Sequence, residues 1–247
     1  MTMIVSAHLG DCLLIAGDNR SLICDVKTGR LSLFSDTEKK VQQWSLGAVA
    51  GTGEKIFIDR ITDYFINFKV EDKKLKQMDV IYDEIEKRLL EGVPKEMLIN
   101  NTLIFSMFDG EQSHLYSIPT EPFFQEFDQR DGIKIIRQRM YAIEPWSVNV
   151  TCFNLPPDMS SLQKFQRNLR SLSSFEREIN FIDFYIQELK EVFAIQASID
   201  PSITTSFDLY LQICETGHSL ALHIENSILS SPLPKELNYW NTVKKAF

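Results

Sequence analysis

The feature that most constrains this chain is the way its hydrophobic period switches back and forth along its length. The first fifty residues carry apolar runs of strand length. MIVSAHL and CLLIAGD are separated by Gly10-Asp11, and SLICDV and RLSLF by Lys27-Thr28-Gly29, both turn signals. VQQWSLGAVAG adds one or two strands and ends at Gly51-Thr52-Gly53. From Glu54 to Phe68 the period becomes helical, with Phe57, Ile61, Tyr64, Phe65 and Phe68 recurring on one face. Val80, Ile81, Ile85 and Leu89 mark a second helix, which Gly92 and Pro94 end. Strands return in TLIFSMFD and HLYSIP, in GIKIIRQRMYAI and in SVNVTCF. Two helical stretches follow, at about 160–170 and 175–197, and a last hairpin, SFDLYLQIC and SLALHI, turns at Thr216-Gly217.

Hairpins alternating with helix pairs predict an α+β fold: a four-layer αββα sandwich of two stacked antiparallel sheets, each flanked by a helix pair. No repeat, low-complexity segment or linker divides residues 1–247, so one domain is expected.

Composition narrows the function. A net charge of −8 argues against a general nucleic-acid binder, whose affinity rests on neutralising phosphates. The local exception, Lys134, Arg137 and Arg139, alternates with apolar residues and reads as a half-exposed strand. Cys12, Cys24, Cys152 and Cys214 form no CxxC pair and read as free thiols of a reducing compartment. The histidines His8, His114, His218 and His223 lack ligand spacing, so no metal and no cofactor are expected. No apolar run approaches membrane-spanning length, and the start of the chain does not read as a signal peptide. The expected location is the cytoplasm, with no membrane partner.

The opening Thr2-Met3-Ile4-Val5, the turn after it, and LLIAGD ending in Ala16-Gly17-Asp18 resemble the start of proteasome β-type subunits and of the bacterial HslV peptidase. Lys39-Lys40-Val41 resembles that family's lysine-bearing strand, Ala50-Gly51-Thr52-Gly53-Glu54 its glycine-rich turn, and FSMFDGEQSHLYSIP its following hairpin. The resemblance covers about the first 120 residues well; residues 122–174 diverge. It implies an N-terminal nucleophile hydrolase fold and four roles. Thr2, freed by removal of Met1, would be the nucleophile. Asp18 would orient Lys40, Lys40 would stabilise developing negative charge, and Gly51 would donate the oxyanion N–H. The chemistry fits: an α-amino group titrating near ~8 serves as the threonine's own base, and a backbone N–H unobstructed by a side chain suits an oxyanion. Which of Lys39 and Lys40 faces inward is left open by the sequence.

Three departures bear on these expectations. The hairpin between Asp18 and Lys40 is longer than the family's, with the extra residues assigned to the Lys27–Asp36 turn; register counted from Asp18 alone would put Phe34 at the lysine position. The family's D-x-x-S-G pattern becomes DPSITTS, in which Asp200 fits and Ser206 or a neighbouring threonine would supply the hydroxyl. The family's G-S-G turn is replaced by FNLPPD. The leading expectation is a threonine peptidase acting on peptide or protein substrates, in a homo-oligomeric ring and fed by an ATP-dependent unfoldase. An inactive structural or assembly subunit, and a hydrolase of small amides, are the alternatives.

Overall fold

The computed structural model describes residues 2–25, 27–69, 75–125, 139–153 and 156–226. β1 (Met3–His8) and β2 (Cys12–Asp18) form the first hairpin, in which Leu9 N–H donates to Cys12 O at 2.8 Å across Gly10-Asp11. β3 (Ser21–Cys24) and β4 (Leu31–Ser35) make a separate two-stranded hairpin outside both main sheets. β5 (Val41–Trp44) and β6 (Gly47–Thr52) lead into α1 (Lys55–Ile66) and α2 (Gln77–Leu90). The short α3 (Lys95–Ile99), the strands β7 (Thr102–Phe108) and β8 (Ser113–Pro119), the short α4 (Glu121–Gln125), β9 (Tyr141–Ala142) and β10 (Ser147–Cys152) follow. The chain then forms α5 (Met159–Arg167), α6 (Glu178–Ile199), β11 (Phe207–Ile213) and β12 (Ser219–Ile224).

Two five-stranded antiparallel sheets result, in the orders β10-β1-β2-β11-β12 and β5-β6-β7-β8-β9. Every residue of β1, β2 and β6 is buried, because each sheet is covered on both faces. The two-residue period of a strand then sorts side chains between two cores. In the first sheet Met3, Val5, Ala7, Leu14 and Ala16 pack with Phe165, Phe181, Tyr185 and Phe193 of α5 and α6, while Ile4, Leu13 and Ile15 turn to the other sheet. In the second sheet Val49, Leu103 and Phe105 pack with Phe57, Ile61, Phe65, Ile81 and Ile85 of α1 and α2, while Ala48, Ala50 and Ile104 face inward. The order of layers is therefore helix pair, sheet, sheet, helix pair, the expected αββα sandwich. Phe57, Phe65 and Phe193 are fully buried, and each such ring contributes about 1.5–3 kcal/mol by leaving water.

Two expectations need qualification. α3 and α4, five residues each, carry too little period to be read from sequence. Residues 132–138 of the expected GIKIIRQRMYAI strand, Lys134 and Arg137 among them, lie outside the described residues; in the rest of that stretch the described strand is β9, and Arg139 holds its guanidinium 4.6 Å from the Phe123 ring centroid. All four cysteines are free. Among the described residues no helix is long and apolar enough to cross a membrane.

Candidate active site

Antiparallel pairing of β1 with β2 and β10 fixes the start of the chain. Ile4 faces Gly17 and Met3 faces Cys152. One step further, Phe153 N–H donates to Thr2 O at 3.1 Å, and Met3 N–H donates to Asp18 Oδ1 at 2.8 Å. Thr2 is thereby held against the end of β2, largely buried.

Asp18 ends β2 with no exposed surface. Besides Met3 N–H, its carboxylate accepts Arg20 N–H at 2.9 Å, Thr204 N–H at 3.5 Å and the Lys40 ammonium at 2.9 Å. Lys40 Nζ also donates to Arg20 O. The Lys40 side chain is 8% exposed, whereas Lys39 is exposed, so Lys40 is the one of the two that turns inward to Asp18. Burial pushes the Lys40 pKa below 10.5, and the Asp18 charge and hydrogen bond oppose that fall.

Two devices keep Lys40 in place. Val41 faces Ala50 in the β5–β6 ladder, which sets Lys40, one residue earlier, opposite Gly51. Arg20, itself 3% exposed, forks onto Asp36 with Nε–Oδ1 2.6 Å and Nη2–Oδ2 3.0 Å, and donates to Pro201 O at 2.6 Å. That guanidinium ties the end of β2 to the segment preceding Lys40 and to the loop holding Asp200. Asn19 adds a further tie, donating to Glu38 O at 3.1 Å and to Asp208 Oδ2 at 3.0 Å.

Thr2, Lys40 and Gly51 line one cleft of about 830 Å³. Its walls come from the β3–β4 hairpin (Ile23, Phe34), from α1 (Ile56, Ile66) and from Met97 and Phe153. Phe34 is an exposed wall residue and does not occupy the lysine position. Gly51 could not carry a side chain without a shift: a Cβ there would lie 2.7 Å from Ile58 Cδ1. Gly53, at φ +134°, is more demanding, since its Cβ would lie 1.8 Å from Asn101 Oδ1, the acceptor of Glu54 N–H at 3.0 Å. Gly53→Ala is expected to cost about 1–3 kcal/mol of stability from backbone strain, read as a lowered urea midpoint.

Asp200 is fully buried and accepts Ser202 N–H at 2.9 Å and the Ser202 hydroxyl. Ser202 is thus the hydroxyl that Asp200 holds, and sequence matching passed over it. Ser206 makes a different contact, its hydroxyl accepting Asn226 N–H at 3.4 Å; none of Asp200, Ser202 and Ser206 lines the cleft. Thr204, the neighbouring threonine, contributes its N–H to Asp18 and its hydroxyl oxygen as acceptor for Asn19 N–H at 2.9 Å. Cys152 adjoins the same carboxylates, yet burial first, then the Asp200 and Asp18 charges, push its thiol pKa up, which makes it a poor nucleophile. Among the described residues no three His, Cys, Asp or Glu side chains are grouped so as to hold a metal ion.

No family model and no curated protein matches this chain. Solved structures do. Anbu from Hyphomicrobium sp. strain MC1 aligns over 92% of this chain and 88% of its own, with TM-score 0.55 and 14% identity. A Gly-1 mutant of that Anbu gives TM-score 0.52 at 15% identity, over 92% of this chain and 89% of its own. The Anbu complex from Pseudomonas aeruginosa, solved as a helical assembly, gives TM-score 0.60 at 13% identity, over 92% and 88%. The fold is proteasome-like. The finer resemblance to HslV is corrected by these matches: they are structures of Anbu, a bacterial proteasome-like protein distinct from HslV. The shared sandwich accounts for the misreading, since the strand–turn–strand opening and glycine-rich turn belong to the fold.

Proposed function

We propose that the chain is a threonine-type amide hydrolase acting on peptides. The observation that carries this reading is the buried Asp18–Lys40 pair, whose carboxylate also holds Met3 N–H, in a cleft that Thr2 and Gly51 line. A buried ion pair is a poor stabiliser, since apolar residues of equal volume do as well. Its presence one residue from Thr2 is explained by chemistry.

With Met1 removed, the Thr2 hydroxyl attacks the substrate carbonyl carbon while its proton passes to the Thr2 α-amino group. The oxyanion forms against Gly51 N–H, and the Lys40 ammonium offsets the charge that develops around the hydroxyl. Collapse expels the amine, which leaves with the proton held by the α-amino group. Water then hydrolyses the ester and frees Thr2. Asp18 orients Lys40, with Asp200 and Ser202 supporting from the adjoining loop. The cleft of about 830 Å³ has room for a short peptide segment.

The test is labelling by a threonine-directed β-lactone. Intact mass should show loss of Met1 and one adduct per chain, mapped to the peptide beginning at Thr2. A chain that keeps Met1, or stays unlabelled, supports the assembly-subunit reading instead.

The rate should also report Lys40. The α-amino group must be neutral, so activity rises with pH through about 8. The ammonium must be charged, so activity falls as pH rises through the Lys40 pKa, below 10.5. Stability has the opposite sign at the upper end. Between that lowered value and 10.5 the unfolded chain binds more protons on Lys40, so unfolding free energy rises with pH. A pH–rate profile whose alkaline limb stays at or above 10.5 in wild type would mean that the Asp18 charge outweighs burial at Lys40.

Self-assembly belongs to the same reading, supported by the helical assembly of the Pseudomonas aeruginosa protein. Ring closure and feeding by an ATP-driven unfoldase are its finer parts, and sedimentation velocity checks the assembly. Four free thiols support a reducing location, the cytoplasm.

A further inference from the structure

The turn at Gly53, which follows Gly51 near the end of β6, is tied to a second helix. Glu54 caps α1, accepting Ile56 N–H at 3.2 Å and Phe57 N–H at 2.8 Å. The same carboxylate receives a two-pronged contact from Arg88 on α2: Nε to Oε2 and Nη2 to Oε1, both 3.0 Å. Arg88 and Glu54 side chains are 8% and 10% exposed. Glu54 N–H is fixed in turn by Asn101. Arg88 also meets Glu91, which with Glu84 engages Arg60 on the α1 side.

A cap alone does not call for this arrangement. Serine, threonine or aspartate caps a helix with a shorter side chain and no cation behind it. A long carboxylate held at both oxygens by a planar guanidinium fixes its own orientation, and with it the backbone three residues after Gly51. An oxyanion donor acts by being in place before charge develops, so the position of that backbone carries through to rate.

We propose that Arg88 is a positioning residue for the oxyanion site: through Glu54 it sets where the Gly51 N–H points. This rests on the hydrolase reading above. Arg88 lines the same cleft as Thr2, and its guanidinium is engaged by Glu54 and Glu91. Its effect is on the chemical step and not on substrate affinity.

Arg88→Lys keeps the charge and loses the paired donors. Arg60→Lys makes the same chemical change in the same ion-pair network, on a residue that contacts Glu84 and Glu91 but not Glu54. Both variants and wild type are compared for kcat and KM on a fluorogenic peptide amide, well below their melting temperatures, with the active fraction counted by β-lactone titration. Arg88→Lys is expected to lower kcat per active site by about 10-fold or more with KM within about 2-fold, as a misplaced catalytic group does. Arg60→Lys should leave both constants near wild type. Equal kcat in Arg88→Lys and Arg60→Lys overturns the positioning role and leaves the hydrolase reading standing. A wild type that is neither active nor labelled overturns both. A loss confined to active fraction or melting temperature, with kcat per site unchanged, makes Arg88 a structural residue only and overturns the proposal.

Discussion

Thr2→Ala is expected to abolish β-lactone labelling and to cut peptide hydrolysis by at least ~10³-fold, the scale on which loss of a nucleophile acts in hydrolases of this chemistry. The substitution removes one hydroxyl and one methyl group. Thr2 is held mainly through its backbone, by Phe153 N–H to its carbonyl oxygen and by the neighbouring Met3 N–H to Asp18. Neither contact uses the side chain, so the melting temperature of the variant should stay close to that of wild type. Unchanged hydrolysis by the alanine variant would mean that another group, or a contaminant, does the work.

Asp18→Ala should act in the other direction, on stability as much as on rate. It strands the Lys40 ammonium in a site with almost no water contact, and it strips acceptors from Met3 and Arg20 N–H groups. Removing one partner of a buried pair costs about 3–5 kcal/mol, enough to consume a large share of an ordinary domain's stability. Lys40→Met is the informative comparison. It leaves Asp18 with its backbone donors, which still stabilise the carboxylate, so it should cost less stability while removing activity. Chemical denaturation of the two variants checks the order. Equal losses would mean that the backbone donors contribute nothing to holding the Asp18 side chain in place.

Much of this was readable in the sequence, for identifiable reasons. The β1–β2 hairpin showed through its two uninterrupted apolar runs and the Gly10-Asp11 turn, and α1 through the spacing of Phe57, Ile61 and Phe65. The layer order followed from alternating periods. Choosing Lys40 over Lys39 did not, because two adjacent lysines carry no periodic signal; the β5–β6 register and the Arg20–Asp36 fork decide it. The Asp200 loop was misaligned in part for a physical reason. Its hydroxyl comes two residues after the acid, through a tight turn in which Asp200 accepts Ser202 N–H, whereas matching to a serine–glycine pair looks further along. Arg88 was invisible, since an arginine on the second helix of a pair gives no hint of which carboxylate it meets. The nearest available signal was Glu54 itself, an acid directly after a glycine-rich turn.

The central place of β2 in its sheet has a consequence for timing. Its partners are β1, which precedes it immediately, and β11, whose Phe207 faces Asp18 and which lies some 189 residues later. Asp18 also takes a donor from Thr204. While the chain is being synthesised, the acid that would orient Lys40 lacks half of its strand neighbours until residues 204–213 have left the ribosome. Pairings so distant in sequence form late in folding. A nascent chain of this protein therefore carries Thr2, Asp18 and Lys40 early but completes the strand pairing around Asp18 only once β11 has been made.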